Sequence, residues 1–300
     1  MSARMSARTS ASHPAIEAGR VAVVTGGASG IGLAVAQRLA ALGMRLVIAD
    51  RDDDAREQAA AQLGLGDDRL LLRDTDVADF DAVLALRDET LARFGDVAVL
   101  MNNAGVGGGG GPFERLEGWQ RVLGVNLWGV VHGMQAFVPA MLEGGRPGAV
   151  INTGSKQGIT NPPGDAAYNA SKAAVRSMTE SLAHALRQDP AGAVTAHLLV
   201  PGFTYTGMIR RHVAEKPRAA WTPEEVADHL LTRIATGAFY VICPDNDVDF
   251  ETDVARMRWN LDDIVRDRPA LSRWHPDHAD DFAAYMARSV PVRQGADEAG

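Results

Sequence analysis

A single cysteine, Cys243, is all the thiol in this 300-residue chain. That excludes an internal disulfide and any metal site built from several thiolates. It suits a reducing compartment, so a cytoplasmic location is expected. Long apolar runs are also missing: none reaches the roughly 20 residues that a membrane helix needs, and the first residues lack the apolar core of a signal peptide. No membrane partner is expected. Positive charge is in deficit, with a net charge of −8, whereas nucleic-acid binders carry a basic stripe that neutralises phosphates. No nucleic-acid partner is expected either. Lysine is nearly absent: Lys156, Lys172 and Lys216 are the only three beside 27 arginines. Where arginine serves almost everywhere, a retained lysine marks a place that needs a compact point charge rather than a planar fork.

Two scarce residue types meet in Y-N-A-S-K, where Tyr168 and Lys172 stand four apart in a helical pattern and so share one face. With four tyrosines and three lysines in the chain, that spacing arises by chance only about 4% of the time. A phenol beside an ammonium is a pair that can carry a proton. The rest of the composition, 46% apolar and 23% charged, is that of an ordinary globular protein able to bury about three quarters of its unfolded surface.

Residues 1–19 are rich in Ser, Ala and Arg without apolar periodicity and read as a disordered tail. The run R-V-A-V-V-T (Arg20 to Thr25) reads as a buried strand and leads directly into G-G-A-S-G-I-G. A helix from Ile31 to Leu42 and a strand from Met44 to Asp50 complete a β-α-β unit. Gly26, Gly30 and Gly32 would let backbone approach a pyrophosphate at the helix N-terminus, with Ser29 and Ile31 in the same loop. Asp50 lies 18 residues past Gly32, where a carboxylate can accept hydrogen bonds from a ribose, so NAD is expected over NADP. Arg51 is the competing feature, since a guanidinium there could hold a 2′-phosphate.

Helices near 52–63 and 80–94 alternate with strands at 69–73, 97–102, 148–153, 193–200 and 239–243. The alternation predicts an α/β fold: a doubly wound, Rossmann-type parallel sheet of about seven strands with helices on both faces. Further helices are expected through Trp119 to Val131, over about 165–188, and from Thr222, which has its cap, proline and acids in place. Gly107 to Gly111 should be conformationally free, and the loop mobile. The cations Arg210, Arg211, Lys216 and Arg218 read as solvated surface, or as an attractor of anionic substrate. Residues 20–245 form the expected nucleotide-binding catalytic domain and 246–300 a helical extension of it. In the extension Phe250, Val254, Met257, Leu261 and Ile264 form an apolar stripe expected to be buried over the active-site mouth or a neighbouring subunit. His275, His278 and Asp281 have metal-like spacing, but Pro276 and the acids read as a helix start, and no metal is expected.

T-G-G-A-S-G-I-G, N-N-A-G, Asn126, Ser155, Y-N-A-S-K and P-G-F-T-Y-T together resemble the single-domain branch of the short-chain dehydrogenase/reductase family, over about 20–243. Ser155 lies 13 residues before Tyr168, as in that family. Gly154 departs from its usual serine, and the tail beyond Pro244 is longer and lacks the common glycine-rich ending. The resemblance implies hydride transfer between a nicotinamide and a secondary alcohol or ketone. Tyr168 would be the general acid/base, Lys172 would lower its pKa and hold the ribose, Ser155 would polarise the substrate oxygen, and Asn126 would order a proton-carrying water. Cofactor contacts are implied for Asp76, Val77, Asn103, Ala104, Gly105, Pro201, Gly202, Thr204 and Thr206. It also implies a homodimer or homotetramer, paired through the helices that carry Asn126 and Tyr168. Tyr205 is the alternative proton carrier. A non-catalytic dinucleotide sensor or scaffold and an extended-branch sugar-nucleotide epimerase are the competing readings.

Overall fold

The computed structural model describes residues 12–210 and 213–290. Val21–Thr25 form β1, buried throughout. The glycine turn leads into α1 (Gly30–Ala41) and β2 (Arg45–Asp50). Alternation continues through α2 (Asp53–Leu63), β3 (Leu70–Asp74), α3 (Phe80–Phe94) and β4 (Val99–Asn102). Next, α4 (Leu116–Leu123) passes through a π turn at Gly124–Trp128 into α5 (Gly129–Glu143), followed by β5 (Gly148–Thr153). The short α6 (Gln157–Thr160), α7 (Ala166–Leu186), β6 (Val194–Val200), α8 (Gly207–Arg210), α9 (Pro223–Ala235) and β7 (Tyr240–Ile242) follow. The extension holds α10 (Phe250–Val265), 3-10 turns at Ser272–Trp274 and Pro276–His278, and α11 (Ala279–Ser289).

The seven strands form one parallel sheet in the order β3-β2-β1-β4-β5-β6-β7. This is the doubly wound sheet that the alternation predicts. Strand order reverses between β1 and β4, which opens a crevice beyond their carboxyl ends. Both faces are covered: α1 and α9 supply Leu33, Leu39, Leu230 and Ile234 on one, and α3 and α5 supply Val83, Leu86, Phe137 and Met141 on the other. Arg20, expected inside the first strand, is buried just before it and forms a bidentate pair with Asp96 at 2.9 Å.

Three expectations are corrected. The expected tail falls partly outside the described residues (1–11), but His13, Ala15 and Ile16 are buried. Two apolar side chains suffice to dock this segment, and Gly19 N–H closes it onto the Gly43 carbonyl at 2.9 Å. In α10 the apolar stripe is not buried against its own chain, one of the two places expected for it: Leu261 and Ile264 are 59% and 79% exposed, and Phe250 is also exposed. Buried instead are Asp253, Trp259 and Asp263, because the acids meet half-buried cations and a buried hydroxyl, Lys156 for Asp253 and Arg268 and Ser272 for Asp263. The five glycines are tied down rather than free, through bonds described below. Arg210 stacks on the Tyr205 ring, Lys216 and Arg218 are exposed, and Arg211 lies outside the described residues. His275 caps the 3-10 turn at Asp277 N–H, and His278 pairs with Asp281 at 3.5 Å.

The docked N-terminal segment makes stability depend on acid. His13 Nε2 lies 3.1 Å from Thr195 Oγ1, which also lies 2.9 Å from His197 Nε2. Burial, and then the neighbouring His197, push the His13 pKa down to about 4. Protons therefore bind the unfolded chain preferentially below the ordinary histidine value near 6.5. Stability should be fully present above pH ~6.5 and fall as pH drops through about 4, by on the order of 2 kcal/mol after allowance for partial solvent screening. Melting temperature against pH checks this: His13→Gln should flatten the acid limb, and an unchanged limb would assign it to other groups.

Candidate active site

The glycine turn is shaped by close approach. Gly26 has φ +60°, and a Cβ on it would lie 2.8 Å from Ala104 Cα. A Cβ on Gly32 would lie 2.4 Å from the Gly26 carbonyl oxygen. Only glycine fits at either position, so the turn closes onto the N-N-A-G loop and leaves the start of α1 bare. Ser29 N-caps α1 without a side-chain cap bond, so its hydroxyl and the first N–H groups remain for an anion. Thr206 packs beside Gly30 at 3.4 Å from the position of a Cβ there. Asn103 donates through Nδ2 to the Thr25 and Gly26 carbonyls at 3.2 and 3.1 Å, and the Asn103 and Ala104 N–H groups donate to Thr25 Oγ1. A dinucleotide fits this cradle: a helix N-terminus lined by small residues, with a carboxylate at the neighbouring strand end.

That carboxylate is Asp50. It accepts from Ala28 N–H at 3.2 Å through one oxygen and from Arg51 N–H at 2.8 Å through the other. The Arg51 guanidinium turns toward Asp76 at 3.1 Å. Val77 is buried at the same edge, its carbonyl bound to His132. Pro201 accepts from Lys156 N–H, Gly202 from Thr204 Oγ1, and Thr204 bridges to Trp221. The residues expected around a cofactor thus lie along the carboxyl edge of β1, β2, β3, β4 and β6.

Beyond β5, Ser155 Oγ accepts from Gln157 N–H at 3.1 Å, which leaves its own proton to donate. Tyr168 stands in the first turn of α7, and Lys172 one turn later donates from Nζ to the Thr153 carbonyl at 2.7 Å. Asn126 is fully buried in the π turn. Its Oδ1 accepts from Val106 N–H at 2.8 Å, and Nδ2 donates to the Val106 carbonyl at 2.9 Å and Ser171 Oγ at 3.2 Å. Both amide protons are committed, so Asn126 clamps the loop after N-N-A-G and keeps one acceptor lone pair for a water.

The acidity expected of Tyr168 is corrected. Burial, only partly offset by the Ser155 hydroxyl and reinforced by the Asp165 charge, pushes the phenol above its ordinary value. Lys172 lies 5.7 Å from the phenol ring centroid, and burial lowers its own pKa to about 8. One of its three protons goes to the Thr153 carbonyl, and in the protein alone burial of the phenol decides the direction of its shift. Tyr205 is committed elsewhere: its hydroxyl donates to the Val213 and Ala214 carbonyls at 3.1 and 2.5 Å.

Asp165 went unread in the sequence. Its carboxylate caps α7 at Tyr168 N–H (3.2 Å) and accepts from Gly108 and Gly109 N–H at 2.7 and 3.1 Å. Arg121 and the Trp119 indole hold the carbonyls of Gly107, Gly108 and Gly111. An Asp three residues before Tyr168 is a readable cap signal. Its second role, across 56 residues to Gly109, is not. The π turn likewise has no period of its own to betray it.

A sequence model of the short chain dehydrogenase family matches residues 20–217. The chain is 37% identical to 1-deoxy-11-beta-hydroxypentalenate dehydrogenase of Streptomyces arenae over 266 residues, 83% of this chain and 89% of the relative. It is 33% identical to the NADP-dependent (R)-specific alcohol dehydrogenase of Lentilactobacillus kefiri, over 75% of this chain and 95% of that one. A short-chain dehydrogenase/reductase from Burkholderia phymatum, solved in complex with NAD, superposes with a TM-score of 0.75 at 35% identity, covering 84% of this chain and 96% of that one.

Proposed function

The chain belongs to the short-chain dehydrogenase/reductase family and is an NAD(P)-dependent oxidoreductase, and from that premise we propose that it interconverts a small secondary alcohol and its ketone with Tyr168 as general acid/base. The observation that carries this reading is the meeting of Ser155, Tyr168 and Lys172 beyond the carboxyl end of β5, beside the cradle of Gly26, Gly30 and Gly32. A sensor that only bound dinucleotide would need the cradle and Lys172, but neither the Ser155 hydroxyl nor the Tyr168 phenol.

A bound nicotinamide supplies the hydride donor or acceptor and, when oxidised, a positive charge beside the phenol. In oxidation Tyr168 removes the alcohol's hydroxyl proton, and in reduction it returns a proton to the forming alkoxide. Ser155 donates its hydroxyl hydrogen to the substrate oxygen and so fixes the reacting carbon. Lys172, anchored on the Thr153 carbonyl, would hold a ribose hydroxyl with its remaining protons. Asn126 keeps the N-N-A-G loop closed against the site and offers its remaining lone pair to a water. A screen of secondary alcohols and ketones, read by NADH absorbance, tests the reading. Turnover of none would leave the sensor.

NAD is the preferred cofactor in this reading. Asp50 stands at the β2 end, where a 2′-phosphate about 4 Å away would be repelled by a few kcal/mol at an effective dielectric near 20. Arg51 is already paired with Asp76 at 3.1 Å. We expect kcat/KM for NAD to exceed that for NADP by at least about 10-fold, and Asp50→Ala to narrow the ratio. A preference for NADP would mean that Arg51 leaves Asp76 for the phosphate.

A homodimer or homotetramer built on the helices that carry Asn126 and Tyr168 fits this reading, as does a cytoplasmic location. No helix among the described residues is long and apolar enough to cross a membrane.

A further inference from the structure

Lys156 is one of three lysines in the chain, directly follows Ser155, and has no part in the reaction described so far. Its ammonium lies 2.6 Å from Asp253 Oδ2 and 3.4 Å from Asp245 Oδ2, with all three side chains at 15% exposure or less. Asp253 belongs to α10, and Asp245 follows β7. The same Asp245 oxygen accepts from Phe203 N–H at 3.5 Å. Lys156 N–H donates to the Pro201 carbonyl at 3.3 Å. Its Cε and Nζ cover Gly202, where an added Cβ would lie 3.0 and 2.8 Å from them. One helical turn beyond Lys156, the Ile159 carbonyl accepts from Asn260 of α10 at 3.0 Å.

Three separate segments therefore meet at one largely enclosed ammonium: the loop that carries Ser155, the P-G-F loop after β6, and the C-terminal extension. A lone buried carboxylate is costly, and the Lys156 ammonium at 2.6 Å is the partner that offsets this for Asp253. In the other direction, Asp253 and Asn260 of α10 hold the 156–160 turn by an ion pair and a hydrogen bond. We propose that Lys156 is a positioning residue through which the C-terminal extension sets the place of Ser155, so that seating α10 is a condition for polarising the substrate oxygen. This rests on the proposed role of Ser155. It explains why the helix turns Asp253, and not Ile264, toward the rest of the chain.

The test uses full-length Lys156→Met, Asp253→Ala and the double variant. Each single variant should lower kcat for a secondary alcohol at least about 10-fold while leaving the NAD dissociation constant within about 2-fold. The double variant should lose no more than the worse single one, because both act through one contact. Amide hydrogen exchange carries the proposal independently of turnover: in Asp253→Ala the 155–160 amides should exchange at least about 10-fold faster, with the β1 amides unchanged. Unchanged exchange at 155–160 would overturn it, as would additive losses in kcat or a folded Lys156→Met with wild-type kcat. Should wild type turn over no alcohol, the proposed function fails, and the exchange result still decides the coupling.

Discussion

Tyr168→Phe is expected to lose at least about 10²-fold in kcat while binding NAD with near-normal affinity. The substitution removes one hydroxyl and keeps the ring, so the first turn of α7 and its Asp165 cap at Tyr168 N–H stay as they are. The cofactor cradle around Gly26 and Asn103 does not touch the phenol oxygen, and nothing there should change. Steady-state kcat with a secondary alcohol and NADH fluorescence titration give the two numbers. A wild-type rate in the variant would remove Tyr168 from the proton path. Tyr205 is no ready substitute, since its hydroxyl is already bound to two backbone carbonyls.

Lys172→Met should behave differently, losing both turnover and NAD affinity while gaining stability. The ammonium is buried, and its pKa is lowered to about 8. A lysine depressed in the folded state binds its proton more weakly than in the unfolded chain, so below pH ~8 its charge opposes folding. The shift from 10.5 to about 8 corresponds to a cost on the order of 3 kcal/mol. Methionine has nearly the same length and no charge to desolvate, and against it stands about 1 kcal/mol for the lost bond to the Thr153 carbonyl. The melting temperature near pH 7 should therefore rise by a few degrees, while kcat falls at least about 10²-fold and NAD binding weakens about 10-fold or more. A variant that melts lower would show that Lys172 serves the fold and not the site.

The fold was legible because its signals are periodic and local. Seven apolar strands, the glycine turn after β1 and the Thr222 cap of α9 each follow from a few adjacent residues. Boundaries moved by a residue or two, as at Leu70–Asp74 against the expected 69–73. The paired Tyr168 and Lys172 were legible for the same reason, since four residues make one helical turn. The phenol's acidity was not, because it depends mainly on burial, which no neighbouring residue announces, and then on the Ser155 hydroxyl and the charge of Asp165. Nor was the orientation of α10: hydrophobicity favours burying Leu261 and Ile264, but Lys156, 97 residues before Asp253, turns the helix the other way. Likewise the tail at His13 found a partner in Thr195, 182 residues distant. What the sequence concealed lies in pairings between distant segments.

The most direct test of the account is the pH dependence of kcat/KM for a secondary alcohol at saturating NAD, with wild type beside Tyr168→Phe. In the protein alone the phenol is held above its ordinary value, and the positive charge of the oxidised cofactor opposes that shift. Wild type should therefore show a rising limb of one proton, with an apparent pKa lower than that of the phenol in the cofactor-free protein. The limb should vanish in the phenylalanine variant together with most of the rate. The same limb at the same rate in both proteins would contradict the assignment of Tyr168 as the acid/base.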